Sequence, residues 1–414
     1  MSQKTPAPSS AALRLVARGD LCSGCGGCAA VAPDRIVMAE AAPGYLRPQQ
    51  SAPLTPQQEE AITRICPGLV QEVAAQGRED HPLWGPYVGM RTGWACDPEV
   101  RFAGSSGGAL SAILLHLLDT GRVDRVLLTG AAPDLPTGNA AVFVTDRAGV
   151  LAGAGSRYAP SAPLAALPEA VASGLRHAVV GKPCDIAALR ALAAIDPAVA
   201  AAVPVMLSFF YAGVPSHSGG RAVLSALGAA EPEVAAFRFR GNGWPGRATA
   251  TLTDGSERSM SYHDSWGGIL SKHVQHRCRI CADGTGTAAD IVCADAWESD
   301  EAGYPLFDEA DGTSLIVART GLGAELIAGA EAAGAVATAP FDVAALAAIQ
   351  PGQRGRRRAL LARLIALRLC GRPVPRYRGL QLRAAARQNP LRRNLHNFLG
   401  TIRRVLFPRR RPGG

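Results

Sequence analysis

Cys22-Ser-Gly-Cys25-Gly-Gly-Cys28 limits the fold of this chain more than any other feature: three thiols two residues apart, with Cys66-Pro67 after a further 37 residues. Two intervening residues let a tight loop wrap one face of a metal centre. Glycines at 24, 26 and 27 permit positive-φ turns there and bring backbone amides close to the sulfurs. Such amide hydrogen bonds stabilise a reduced centre and tune its potential. The surrounding stretch, Leu21 to about Val70, has little periodic hydrophobicity, as expected of a small unit held together by a metal centre.

Three close cysteines plus a remote Cys-Pro is the ligand spacing of bacterial ferredoxins, which bind a [4Fe-4S] cluster. A structural zinc site usually shows two C-x2-C pairs instead. A radical enzyme built on S-adenosylmethionine needs C-x3-C-x2-C, a spacing this chain does not contain. Among the other cysteines, Cys184, Cys278, Cys281 and Cys293 could form a second group, and Cys96 and Cys370 read as ordinary thiols. Metal or redox use of cysteine fits a reducing compartment, and a cytoplasmic protein is expected. Met1 to Ser10 is polar and lacks the apolar core of a secretion signal. The most apolar stretch, Ala200 to Val214, is interrupted by Pro204 and shorter than the roughly 20 residues that span a bilayer.

The formal net charge of +9 conceals an asymmetry. Residues 354–414 hold eighteen Arg, no Lys and no acidic residue, which leaves the preceding residues at about −9. Positive charge at that density repels itself unless solvated or met by an acidic partner, so the tail reads as an attachment surface. Within it, Arg356 to Cys370 sets Leu360, Leu361, Leu364, Ile365 and Leu367 among five arginines. That is a basic amphipathic helix that could lie on an anionic membrane surface or an acidic protein, peripheral to the membrane, or simply be a solvated C-terminal helix. No aromatic-basic interleaving or reader motif supports nucleic-acid binding.

With 414 residues, 48% of them hydrophobic, the chain can bury a large core. Residues 1–20 read as a polar leader, 21–85 as a ferredoxin-like iron-sulfur segment, 86–345 as a mixed-sheet α/β domain and 346–414 as a basic helical tail. From Pro86 onward, β-branched runs alternate with helical runs. Strands are expected at Val123–Leu128, Val142–Thr145, His177–Val180, Val203–Tyr211, Val234–Phe239, Ala248–Leu252, Asp290–Ala294 and Ser314–Ala318. Helices are expected at Ser106–Thr120, where Leu110, Ile113, Leu114, Leu117 and Leu118 share a face, and at Asp185–Ala194, Gly220–Leu227 and Leu322–Ala333.

Gly104-Ser105-Ser106-Gly107-Gly108 opens the first of these helices, where free N–H groups and the helix dipole can meet a phosphate. Gly155-Ser156-Arg157-Tyr158 follows, and Val180-Gly181-Lys182-Pro183-Cys184-Asp185 runs from a strand into another helix. Together with the cysteine triple, Cys66-Pro67, Gly241-Asn-Gly-Trp-Pro-Gly246, Arg277-Cys-Arg-Ile-Cys281 and Ala289-Asp-Ile-Val-Cys-Ala-Asp295, this ordered set resembles the coenzyme F420 hydrogenase/dehydrogenase beta-subunit family over roughly residues 20–340. The resemblance implies [4Fe-4S] clusters and FAD, with Ser105, Ser106, Gly107, Gly108, Ser156, Tyr158 and Lys182 in contact with the flavin. It also implies that Cys22, Cys25, Cys28 and Cys66 hold one cluster, and that Cys184, Cys278 and Cys281 begin a second.

Members of the family often carry a further cysteine just before Gly-x-Pro-Ser, where this chain has Tyr211. Cys293 is the expected substitute, although an alternating strand could equally turn it into the core. Without it, the second cluster has an open iron, a non-cysteine ligand, or is absent. Asp283, Asp290, Asp295 and Asp300 read as turn and strand-end caps. His217, His263, His273 and His276 are candidate proton donors among which the sequence does not choose. The function expected is electron relay between clusters and FAD, fed by ferredoxin or a partner redox subunit, acting on a small substrate or deazaflavin. The alternatives are a non-catalytic electron-transfer subunit and a zinc-stabilised interaction module.

Overall fold

The computed structural model of the chain describes residues 10–296 and 310–407. Its β-branched runs assemble into one eight-stranded sheet with the order Val336–Pro340, Gly89–Ala95, Ser314–Ala318, Ile291–Asp295, Val205–Phe209, His177–Gly181, Arg125–Ala132, Leu135–Val144. Ile291–Asp295, Val205–Phe209, His177–Gly181 and Arg125–Ala132 run parallel, and the strands on either side join antiparallel. The fold is therefore α/β with a mixed sheet.

Alternation along the central strands feeds two cores. Val126, Val180, Leu207, Ile291, Cys293 and Ile316 pack with Ile113 and Leu117 of the Ala109–Asp119 helix and Ile327 of Gly321–Ala332. Leu127, Val179, Met206, Val292 and Leu315 point the other way, onto Ile186 and Leu189 of the Pro183–Ala193 helix. Each such side chain contributes about 1.5–3 kcal/mol by leaving water, which is why these runs become strands covered on both faces. A separate antiparallel sheet of Val234–Arg238, Arg247–Leu252 and Glu257–Ser261 builds a third core around Phe237 and Phe239.

The two ends of the chain meet. Around the cysteines lie the helix Ala11–Gly19, the hairpin Ile36–Ala41 with Tyr45–Gln50, and the helix Pro56–Ile65, whose start is fixed by a Thr55/Gln58 capping box. Val70–Glu72 pairs in parallel with Arg376–Arg378 from the opposite end of the sequence. One core joins Val16, Leu21, Ile36, Ile62 and Leu69 to Ile280, Leu360, Leu364 and Leu367.

At the two ends the described elements pack across the expected divisions. The polar leader contains a helix with buried Val16, and the cysteine-rich segment does not stand alone. The expected helix at Arg356–Cys370 forms as Pro351–Leu369, but Leu360, Leu364 and Leu367 lie in the shared core. Arg357 is buried in it against the carbonyls of Pro82, Ala282 and Leu380.

Candidate functional site

The four parallel strands end at a cleft of about 280 Å³. Ligands of open α/β sheets sit outside the carboxyl ends of the strands, and this cleft has that position. Lys182 reaches it from the end of His177–Gly181, Phe210 and Tyr211 from the end of Val205–Phe209, and Cys293 and Asp295 from Ile291–Asp295. Ser105, Ser106 and Gly108 enter from the turn before the Ala109–Asp119 helix, and Ser156 and Tyr158 face them. The Ser156 hydroxyl donates to Ser105 Oγ at 2.8 Å, tying the two loops. Gly108 has φ +70°, and a Cβ there would lie 2.6 Å from the Val100 carbonyl, so only glycine makes this turn. Gly107 alone of the expected flavin residues turns away from the cleft. Its amide donates to Ser314 Oγ at 3.0 Å and seats the turn on the sheet.

Aromatic and charged groups close the opposite wall. The Tyr158 ring lies 4.8 Å from Trp266 and 5.7 Å edge-on from Phe239. Arg240, buried, lies 4.8 Å over the Tyr262 ring and makes a bidentate pair with Asp295 at 2.8 and 3.1 Å. Burial opposes its charge most, but Asp295 together with Tyr158 and Tyr262 keeps its pKa above the ordinary arginine value. Sequence reasoning missed Arg240. Its one signal was its place directly before the Gly241–Gly246 turn. Lys182 Nζ donates to Asp185 Oδ2 at 2.7 Å and to Ser161 Oγ at 2.6 Å. Burial works against this ammonium, yet Asp185 and Cys184 hold its pKa above the ordinary lysine value.

Cys22, Cys25, Cys28 and Cys66 come together, close enough that their charges raise one another's pKa. Burial and then Asp185 push the Cys25 thiol up to about 11; burial and then Cys25 and Cys22 push Cys66 up to about 12. The Gly27 amide points at Cys25 Sγ, 3.5 Å away. Gly26 has φ +86°, and a Cβ there would meet the Ala165 amide nitrogen at 2.7 Å. The loop is thus drawn against the α/β domain.

Cys184, Cys278 and Cys281 form a second gathering, with burial the largest cause of the raised Cys184 thiol and both other thiols adding to it. Val214 N donates to Cys278 Sγ at 3.4 Å. The two cysteine loops are tied together. Gln275 Nε2 donates to Ser23 O at 3.2 Å, and Arg277 Nη2 to Pro67 O at 2.7 Å. Arg277 is 2% exposed, and its Nε and Nη1 have no acceptor. A buried cation without a counter-charge costs several kcal/mol, so its surroundings call for negative charge. Its charge is felt by Cys184, Cys278 and Cys281 of the second group and by Cys22 of the first. Thiolate-held iron-sulfur clusters supply such negative charge. Among the described residues, no three His, Cys, Asp or Glu side chains converge on a point suited to a single metal ion. A cluster, which seats each thiolate on a different iron, does not need that convergence. The residues fit a cluster at the first group and three of its ligands at the second.

Cys293 does not join the second group. Strand alternation turns it to the face opposite the Pro183–Ala193 helix, among Val180, Leu207 and Ile316, where burial alone pushes its thiol up to about 12. Tyr211 is the group that lies beside Cys278 and Cys184. Asp283 caps its turn as expected, accepting from Thr285 and Thr287, whereas Asp290 accepts from Met206 N and pairs with Arg190, and Asp295 pairs with Arg240. Asp300 lies outside the described residues. No histidine lines the cleft among the described residues; His217 pairs with Glu40 at 2.7 Å instead.

Residues 90–168 match the N-terminal part of the family described as coenzyme F420 hydrogenase/dehydrogenase, beta subunit, and residues 174–344 match its C-terminal part. A chain of the F420-reducing [NiFe] hydrogenase complex from Methanosarcina barkeri, solved in a xenon-derivatised form, shares the fold. It superposes with a TM-score of 0.52 at 22% identity, over 68% of this chain and 96% of that one. No curated protein matches the sequence. The matched segments span more than half of the 414 residues and contain the whole strand-end cleft apart from Gln350 and Gln353. The chain belongs to the coenzyme F420 hydrogenase/dehydrogenase beta-subunit family.

Proposed function

We propose that this chain is an iron-sulfur flavoprotein oxidoreductase that relays electrons between [4Fe-4S] clusters and FAD and thereby reduces or oxidises a small substrate or a deazaflavin coenzyme. The observation that carries this reading is the Lys182-Pro183-Cys184 junction. Lys182 lines the strand-end cleft, while Cys184 two residues on belongs to the second cysteine group. Flavin chemistry takes electrons in pairs and releases them singly, which matches a two-electron substrate to one-electron carriers.

In this reading Cys22, Cys25, Cys28 and Cys66 hold the first cluster, and Cys184, Cys278 and Cys281 hold the second. Gln275 and Arg277 fix the separation of the two loops through Ser23 and Pro67. The Gly108 turn offers the first amides of the Ala109–Asp119 helix to the phosphates, and Ser105, Ser106, Ser156, Tyr158 and Lys182 orient the cofactor. The Arg240–Asp295 pair stiffens the cleft wall. Ferredoxin or a partner redox subunit supplies the electrons. The fold relative, at home in a hydrogenase complex, is in keeping with such a partner.

Anaerobic purification with iron, sulfide, zinc and flavin counted per chain tests the reading. About one flavin with at least about four iron and four sulfide is expected. Colourless, zinc-loaded protein that takes up no flavin after reconstitution would overturn it. Turnover by the isolated chain with reduced deazaflavin or ferredoxin separates an enzyme from a relay subunit.

A further inference from the structure

The last described helix, Leu391–Leu406, turns a row of leucines to solvent. Its polar residues meet the rest of the molecule. Asn394 Nδ2 donates to Ala386 O at 3.0 Å and its Oδ1 accepts from Asn389 at 2.9 Å; Asn397 Oδ1 accepts from Arg363 at 3.4 Å, and Thr401 is buried. Its leucines meet solvent, while Val405 packs against the shared core and Phe398 and Ile402 are half-buried. Leu391, Leu395, Leu399 and Leu406 are 83%, 54%, 54% and 61% exposed, and Phe407 beyond them is 73% exposed. Four-residue steps from 391 to 399 and a seven-residue step, about two turns, to 406 set these leucines on one stripe. A stripe of leucines turned to water is a contact surface waiting for its partner.

Charge identifies the partner. Arg392 and Arg403 border the stripe, Arg393 and Arg404 are exposed farther round the helix, and the sequence adds Arg409, Arg410 and Arg411 shortly after it. No acidic residue occurs anywhere in 354–414. Leucines on one face with arginines beside them and no acidic residue nearby is the pattern of a helix lying in the headgroup layer of an anionic bilayer, with the long arginine side chains reaching to the phosphates. The neighbouring Pro351–Leu369 helix, which reads as the amphipathic candidate in the sequence, packs Leu360, Leu364 and Leu367 into the shared core. It therefore serves as the platform.

We infer that the Leu391–Leu406 helix docks this protein on an anionic lipid surface, through Leu391, Leu395, Leu399 and Leu406 inserted between headgroups and the flanking arginines paired with lipid phosphates. This goes beyond the redox reading and does not depend on it.

Cosedimentation of the full chain with phosphatidylcholine vesicles, and with vesicles of equal parts phosphatidylcholine and phosphatidylglycerol, tests the inference. Binding to the anionic vesicles is expected to be at least about tenfold stronger and to weaken with salt. Leu395→Asp with Leu399→Asp is expected to lower it by about tenfold or more while thermal stability stays unchanged, because both side chains already face water. Arg392→Gln with Arg403→Gln is expected to reduce both the affinity and its salt dependence. Equal binding to the two vesicles, no binding, or an unchanged affinity in the leucine variant overturns the inference. So does concentration-dependent self-association without lipid that the leucine variant abolishes, which would give the stripe to a second copy of the chain.

Discussion

Arg277 sits between the two cysteine loops with one nitrogen committed to Pro67 O and Gln71 Oε1 and two nitrogens without acceptors. Its charge favours electrons on anything nearby. Arg277→Gln removes that charge and is expected to lower the cluster midpoint potentials by on the order of 60 mV, the one-electron equivalent of ~1.4 kcal/mol. Arg277→Lys is expected to restore part of it. Redox titration followed by electron paramagnetic resonance reads both, and an unshifted potential in the Gln variant would show the guanidinium to be packing alone. Cys293 makes the opposite case. Cys293→Ala is expected to leave iron content intact and cost about 1–2 kcal/mol, whereas Cys278→Ser is expected to lose iron. The Cys293 thiol rises from the usual 9.0 to about 12 in the fold, so it adds no pH dependence below pH 9. Between 9 and 12 the unfolded chain ionises first and the folded state loses stability. Cys293→Ala is therefore expected to flatten the fall of Tm across that range.

Turns and strands carry the next set of constraints. The turn at Gly108 and the loop at Gly26 each hold backbone conformations and approaches that a methyl group would obstruct. Gly108→Ala is expected to destabilise the protein by about 2 kcal/mol or more and to release flavin, measured by melting and by flavin absorbance after gel filtration. Gly26→Ala is expected to reduce iron content and leave flavin bound. Strands rich in Val, Ile and Leu were legible because sheet burial on both faces writes itself as an unbroken apolar run, as in His177–Gly181. Gly89–Ala95 was not legible. Its residues Gly-Met-Arg-Thr-Gly-Trp-Ala have no such run, and pairing with Ser314–Ala318 and Val336–Pro340 on its two sides makes it a strand. The hairpin Ile36–Gln50 escaped notice for a similar reason, since its cover comes from elements remote in sequence.

Over the whole molecule, the shared core of the chain ends decides what can be removed. Deleting 391–414 is expected to leave iron and flavin content intact and abolish vesicle binding. Deleting 351–414 takes away Leu360, Leu364 and Leu367 and the Arg376–Arg378 strand, and is expected to cost the N-terminal cysteine unit its fold. Iron content and proteolytic resistance of the two truncations check both outcomes. The sequence by itself determined the mixed α/β class, the ferredoxin-type ligand spacing, the glycine turn before the Ala109–Asp119 helix and the excess of arginine at the end. Each is written in spacing, period or composition, all local quantities. Only the tertiary structure decided that Cys293 stands apart from Cys184, Cys278 and Cys281, that Arg277 joins the two cysteine groups, and that Leu391–Leu406 turns its leucines outward. Those outcomes depend on which faces meet across hundreds of residues, and contact between distant segments leaves no local signature in the chain.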